Sequence, residues 1–298
     1  MACLNCGAPL TGPFCAACGQ RDVAPYPSLR ELVVDGFQEL SGWDGKVAAT
    51  VRALVRNPGV LTLEFLTGRR TRYVSPMRLY LLASLVYFLV AAAAPDVQVQ
   101  SGKTLHLGLH VGVTTTGEKP ASPSAGGAAP SSEATRRPEA LSEADKRAAL
   151  QQIGQAPALI RPVLRRAIED PQGFRRGIFD TMPRMFFALL PVLAVIIAMF
   201  YRGRKYPEHL YFAIHLQTFI FLVLAATEAL KFTKLPALVV GAAFAGLLWI
   251  SIYATLAFRR VYGGSLIRTI TKELAILALY GATSIVAFIG LLYWVGRG

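Results

Sequence analysis

The chain reads as an all-α polytopic membrane protein of about five transmembrane helices, with a small N-terminal zinc ribbon and an extramembrane loop region holding a short β-hairpin. Three observations predict this. Of 298 residues, 53% are hydrophobic and only 16% charged, and the mean hydropathy is +0.43, too apolar for an ordinary soluble domain. The net charge is nevertheless +13, from 31 basic and 18 acidic side chains, a combination that arises when arginines crowd the cytoplasmic ends of spans. All four cysteines fall within the first 18 residues, in two Cys-x2-Cys pairs. The basic balance thus has a membrane explanation, and the lipid bilayer replaces nucleic acid as the expected partner.

Residues 1–20 read MACLNCGAPLTGPFCAACGQ, with Cys3, Cys6, Cys15 and Cys18 as candidate metal ligands and Gly7 and Gly19 directly after each pair. No basic n-region or apolar h-region precedes the cysteines, so the N-terminus is not read as a signal peptide. It is expected to stay where thiols remain reduced and clustered cysteines bind metal. Each Cys-x2-Cys turn places two thiolates on one ion. Two such knuckles supply a closed tetrahedral site, the structural arrangement for Zn²⁺, with iron or a redox disulfide pair as alternatives. So short a segment buries too little to fold alone, which makes metal binding its folding energy. It is expected to organise residues 1–20 only, as an appended module.

Residues 28–68 predict short cytoplasmic amphipathic helices. Ser28 and Glu31 form a capping box ahead of Leu32, Val33, Phe37 and Leu40. Lys46 to Arg56 puts Val47, Val51, Leu54 and Val55 on one face, and Asn57-Pro58 restarts a helix through Leu61, Phe65 and Leu66. Such helices either lie on the cytoplasmic leaflet or pack on one another. Next come Arg69, Arg70, Arg72 and Arg78 without an acid, then an uncharged run closed by Pro95. These arginines are the membrane-interface basic residues of a first span at 76–94, with Arg78 snorkelling to the headgroups. Tyr73, Pro76, Tyr80, Ser84 and Tyr87 make a stripe down it, read as helix packing or as a polar groove.

Residues 95–184 form the long extramembrane segment. Alternation from Val97 to Val113 around Ser101-Gly102-Lys103 predicts the hairpin. His106 and His110 share one strand face, read as an exposed polar face rather than a metal site. Residues 114–140, rich in Ser, Thr, Pro, Gly and Ala, read as a disordered tether. Ser142-x-x-Asp145 caps a further helix, and Leu159 to Ile168 makes another before Asp170-Pro171. Residues 185–298 hold four more apolar runs, at about 185–201, 210–230, 235–258 and 274–295, each long enough to span. Pro191 should kink the second span. Gly241, Ala242, Ala245 and Gly246 give the fourth a small-residue face. Tyr280 and Gly281 interrupt the fifth, and Tyr293 and Trp294 anchor its end. Arg202, Arg204 and Lys205 in one loop, and Arg259, Arg260, Arg268 and Lys272 in another, lie on the side of the first-span arginines. The positive-inside rule therefore puts the N-terminus in the cytoplasm and the C-terminus outside. Arg175, Arg176 and Arg184 beside the second span run mildly against it.

The order of parts resembles a family of uncharacterised bacterial inner-membrane proteins, a domain of unknown function. The resemblance is carried by Cys3, Cys6, Cys15, Cys18, Gly19 and Gln20. It continues in the GRRxRYxxP approach to the first span (Gly68, Arg69, Arg70, Arg72, Tyr73, Ser75, Pro76), in Ser84 and Phe88, and in His209 to His215. It implies the multi-pass inner-membrane location and the architecture, and adds no activity.

Candidate polar sites within the spans are His215, Gln217 and Glu228 on the third. Glu228 with Lys231 fits an i,i+3 ion pair, and His215 fits a packed, hydrogen-bonded histidine. His209 and His215, six apart, face opposite sides of one helix and cannot share a metal. No His-Glu-x-x-His, Walker loop or nucleophile elbow is present, and no catalytic residue is assigned. The leading reading is a membrane-anchored interaction or scaffold module whose ribbon holds a cytoplasmic protein partner. A small transporter, channel or lipid-handling protein with a polar path on the third span is the alternative, and a membrane enzyme the third.

Overall fold

The computed structural model describes residues 2–22, 46–95, 150–151, 153–154, 157 and 160–297. The expected helix at 28–40, the hairpin at 97–113, the tether at 114–140 and the cap at 142–145 lie outside the described residues. Among the described residues there is no strand ladder, only the isolated bridges Ala2–Pro9 and Phe14–Arg21.

Five helices are long and apolar enough to cross a membrane. In chain order the described helices are α1 (Lys46–Arg56), α2 (Val60–Leu66), α3 (Pro76–Ala93), α4 (Arg161–Glu169), α5 (Pro171–Phe200), α6 (Tyr206–Ala229), α7 (Pro236–Tyr262) and α8 (Leu266–Arg297), with a 3-10 turn at Leu230–Thr233 after α6. The spans are α3 and α5 to α8, so the chain is a multi-pass membrane protein.

Two spans are longer than their apolar runs. Helix α5 starts at Pro171 rather than near 185, and α8 starts at Leu266 rather than 274. Apolarity marks the stretch in lipid, but a cap marks the start of a helix. Pro171 occupies the first turn of α5, and the Asp170 carboxylate accepts from the Gly173 N–H at 2.9 Å. Helix α5 runs on through Pro183 and Pro191. Helix α4 packs across the far end of α8, where a Cβ on Gly296 would come within 2.8 Å of the Val163 backbone.

Helix α6 is the hub. Of its apolar window 61% is buried, against 11% for α7 and for α8. Phe221 gathers Tyr80, Tyr87 and Phe88 of α3 and Phe186 of α5 around it at 5.4–6.0 Å between ring centroids. On another face Phe219 stacks on Tyr253 of α7 at 3.5 Å. The stripe on α3 is therefore a packing seam: Tyr80 is 1% exposed and Ser84 7%. On α7 the small residues divide. Gly246 sits against Val223 and Thr227 of α6, where an added Cβ would meet both at 3.2 Å, whereas Gly241 has nothing within 4 Å. Phe244, Leu247 and Leu248 of α7 face outward, as lipid-facing side chains do.

The described juxtamembrane helices pack onto the bundle of spans rather than on one another alone. Helix α2 is seated on α6 and α7, with Leu61, Thr62, Phe65 and Leu66 buried. Gly59, in the left-handed region at φ 76°, starts α2 where a side chain would collide with the Ala257 carbonyl at 3.0 Å. Tyr253 donates to the Leu54 carbonyl at 2.9 Å and Arg260 to the Pro58 carbonyl at 2.7 Å, fixing the α1–α2 corner on α7.

Candidate metal centre and its juxtamembrane seat

The two knuckles repeat one local geometry. In the first, the Gly7 N–H donates to the Cys3 carbonyl at 2.9 Å and the Cys3 N–H to the Ala8 carbonyl at 2.8 Å. In the second, the Gly19 N–H donates to Cys15 and the Cys15 N–H to Gln20, both at 2.8 Å. Gly7 and Gly19 have φ of 76° and 71°, the conformation this tight turn requires after each Cys-x2-Cys. Folding one knuckle on the other brings Cys3 Sγ to 3.6 Å from Cys18 Sγ and Cys6 Sγ to 3.5 Å from Cys15 Sγ, with all four sulfurs within 4.8 Å. None is in a disulfide, and the gaps are far beyond a sulfur–sulfur bond of about 2.05 Å. A regular tetrahedron with metal–sulfur bonds of about 2.3 Å has edges of about 3.8 Å, so this cluster can hold one metal ion.

The crowding splits the thiols. The Gln20 backbone N–H, then Asn5 and neighbouring thiols, outweigh burial and bring Cys18 down to about 6. At Cys6 the Ala8 N–H favours the thiolate, but the Cys15 and Cys18 side chains overcome it and push the thiol up to about 12.

The unit is not free-standing. The Gln20 side chain is 7% exposed and reaches across to the loop between α2 and α3. Its Nε2 donates to the Gly68 carbonyl at 2.8 Å, while its Oε1 accepts from the Thr71 hydroxyl at 2.9 Å and the Arg70 N–H at 3.3 Å. The loop is preset for this contact. After α2 the Gly68 N–H donates to Phe65 and the Arg69 N–H to Glu64, a Schellman ending with Gly68 at φ 83°. A Cβ on Gly68 would also lie 2.7 Å from Leu4 of the first knuckle. Further along, the buried Thr50 of α1 accepts the Val74 N–H at 3.0 Å. The four-cysteine segment, expected to organise residues 1–20 alone, is instead fastened through Gln20 to the loop ahead of α3.

Residues 44–88 match a family model described as a protein of unknown function (DUF3667). The match runs from α1 through α2 and the Gly68–Ser75 loop into α3, so it covers the seat rather than the cysteines. No curated protein and no solved structure matches the chain.

The four basic residues of the approach have different fates. Arg69 pairs with Glu64 at 3.0 Å, Arg72 is exposed, and Arg78 is partnered. Arg70 has its Nε, Nη1 and Nη2 all buried without a hydrogen-bond partner. The polar residues of the third span each meet protein. His215, 3% exposed, shares a hydrogen bond of 2.9 Å through Nδ1 with Thr62 of α2 and packs on Phe65. Gln217 accepts from the Tyr280 hydroxyl of α8 at 3.5 Å, and Glu228 pairs with Lys231 at 2.6 Å. The structure does not bring the three together. His209 turns the other way, to the Tyr262 hydroxyl at 2.9 Å.

Sequence reasoning missed a polar layer at the end of the bundle that carries the four-cysteine unit. Arg204 binds Glu208 at 2.8 Å and the Val261 carbonyl at 2.6 Å, Lys272 donates to the Phe200 carbonyl at 2.8 Å, and Glu273 accepts from Thr255 at 2.7 Å. Lys272 and Glu273 sit before the apolar run of α8, so they read as loop residues. The signal for Gln20 was present, since it stands in the resemblance beside Gly19, but a glutamine carries no sign of what it will bind.

Proposed function

We propose that this chain is a multi-pass inner-membrane protein whose N-terminal unit is a Zn²⁺-loaded ribbon on the cytoplasmic side, acting as a membrane-anchored module that holds a cytoplasmic protein partner. The observation that carries the reading is the pairing of a four-thiol cluster with a buried Gln20 clamp onto the juxtamembrane loop. A site with four protein thiolates and no open position is structural. Clamping it to the head of a span fixes its orientation to the bilayer, which an interaction module needs and a dangling one lacks. Phe14, on the second knuckle, is 60% exposed and offers an aromatic contact beside the metal. The basic loops at 202–205 and 259–268 lie at the same end as the clamp, supporting a cytoplasmic N-terminus by the positive-inside rule.

A transporter or channel would need His215, Gln217 or Glu228 to line an aqueous path. Each is taken by a protein group instead, which favours the anchor reading. The test is crosslinking in cells, followed by purification of wild type, Phe14→Asp and Cys15→Ala. A partner recovered with wild type and lost from both variants, with Phe14→Asp still carrying zinc, supports the module. Equal recovery from all three refutes it.

A further inference from the structure

We propose that α4 and the first turns of α5 form a basic interfacial platform, seated in the leaflet at the far end of the bundle and bound there to the headgroups of anionic phospholipids. The inference rests on the multi-pass architecture and on no assumption about zinc, a protein partner or which side of the membrane that leaflet faces. Helix α4 is two-faced. At about 100° per residue, Ile160, Val163, Leu164, Ala167 and Ile168 fall on one side, and Arg161, Arg165, Arg166 and Glu169 on the other. A helix of 9 residues is marginal in water, so its formation depends on what covers the apolar side.

Helix α8 covers only part of that side. A Cβ on Gly296 would lie 2.8 Å from the Val163 backbone, so the two helices touch along the Val163 edge. Val163, Leu164, Ala167 and Ile168 are each only half-buried, and Ile160 is 43% exposed. The same contact fixes the depth. Gly296 lies in the last turn of α8, next to Tyr293 and Trp294, and Trp294 is 76% exposed. Trp and Tyr at the end of a span sit at the level of the headgroups. Helix α4 therefore crosses where its apolar side can dip into the acyl chains while its arginines stay among the phosphates.

Charge at this depth selects the lipid. A Cβ on Gly177 would lie 2.7 Å from the Val295 side chain, which brings the start of α5 to the same level. Arg175 and Arg176 flank that contact and are exposed. Arg184, also exposed, lies about 10 Å deeper along α5 and reaches the headgroups by snorkelling. Arg165 pairs with Glu169 at 2.7 Å, but on the surface, where such a pair holds its partners weakly. Arg297 adds a guanidinium over the Tyr293 ring at 5.4 Å. Between Ile160 and Arg184 six arginines stand against three acids, and one of those acids, Asp170, is engaged in capping α5. This positive surplus favours a net-negative headgroup over a zwitterionic one. It also gives a use to the arginines that run against the positive-inside rule.

The experiment uses the full chain in vesicles of phosphatidylcholine alone and of a three-to-one mixture of phosphatidylcholine and phosphatidylglycerol. Amide exchange on peptides covering 161–170 should slow by about fivefold or more when phosphatidylglycerol is present, while peptides of α6 stay unchanged. Arg165→Gln, Arg175→Gln and Arg176→Gln combined should abolish that difference. The same loss of charge at the opposite end, Arg202→Gln, Arg259→Gln and Arg268→Gln combined, should leave it intact. Depth is read separately, with Ile168→Trp in a chain whose Trp43, Trp249 and Trp294 are replaced by phenylalanine. Its fluorescence should be quenched more by lipids brominated near the glycerol than by lipids brominated at the chain ends or by aqueous acrylamide. Exchange at 161–170 that ignores lipid charge overturns the proposal, as does a lipid effect that survives in the first triple variant or is lost equally in both. Stronger quenching by acrylamide or by chain-end bromine overturns it too, since α4 would then lie in water or within the bilayer core.

Discussion

Replacing Gln20 with alanine should free the cysteine unit from the membrane domain without emptying the metal site. The three hydrogen bonds of the clamp measure 2.8, 2.9 and 3.3 Å, and the side chain is 7% exposed. Two well-formed bonds at about 1 kcal/mol each, with a partial cost for the Gly68 carbonyl left without its donor, give roughly 2–3 kcal/mol of docking free energy. That corresponds to about a 30- to 150-fold shift toward the undocked state. The four sulfurs and the knuckle turns do not depend on the Gln20 side chain, since Cys15 donates to the Gln20 backbone carbonyl. Amide hydrogen exchange of the full-length protein, read on peptides covering 68–74, reports undocking through the Arg70 N–H. Faster exchange there at unchanged metal content is the expected result. Unchanged exchange at 68–74 would refute the clamp, and loss of metal would show that Gln20 supports the site itself.

Four further outcomes follow from the geometry. Thr62→Val leaves His215 buried with neither ring nitrogen bonded and should lower stability by about 1–3 kcal/mol; a double-mutant cycle with His215→Phe should be non-additive, and strict additivity would contradict the contact. Gly246→Leu should destabilise by about 1–3 kcal/mol through its clash with Val223 and Thr227, whereas Gly241→Leu, facing open space, should not; matching thermal shifts would contradict the packing of α7 on α6. A topology reporter after Gly298 should read periplasmic and one after Arg260 cytoplasmic, and the reverse pattern sinks the orientation. Cys15→Ala should lose its metal and unfold the knuckles but still reach the membrane, because α6 and its neighbours bury their own core; disappearance from the membrane would make the cysteine unit part of the bundle's fold.

The five spans were legible because an uncharged apolar run of such length has few other structures open to it. Helix ends were less so. The starts of α5 and α8 lie among polar residues, where Asp170 and Pro171 set the boundary and hydropathy is silent. The four cysteines were legible because their spacing is itself the geometry of a knuckle. How the unit meets the membrane was not. That depends on Gln20, Gly68 and Thr71, which come together only after the chain has crossed some fifty residues, and none carries a periodic or charge signal. The same holds for Thr62 and His215, two ordinary polar residues joined across 153 positions. The arginines of the approach were read as one group by charge. Only their surroundings separate Arg69, which is paired with Glu64, from Arg70, whose guanidinium nitrogens are buried with no hydrogen-bond partner among the described residues.

The central claim, a zinc ion held by four thiolates on a unit seated at the head of the first span, is tested most directly by metal content and X-ray absorption at the zinc edge on the purified full chain. The prediction is one zinc per chain with four sulfur neighbours at about 2.3 Å. Zinc with nitrogen or oxygen in its coordination shell, another metal, or a metal-free protein with Cys3, Cys6, Cys15 and Cys18 paired as disulfides would contradict it.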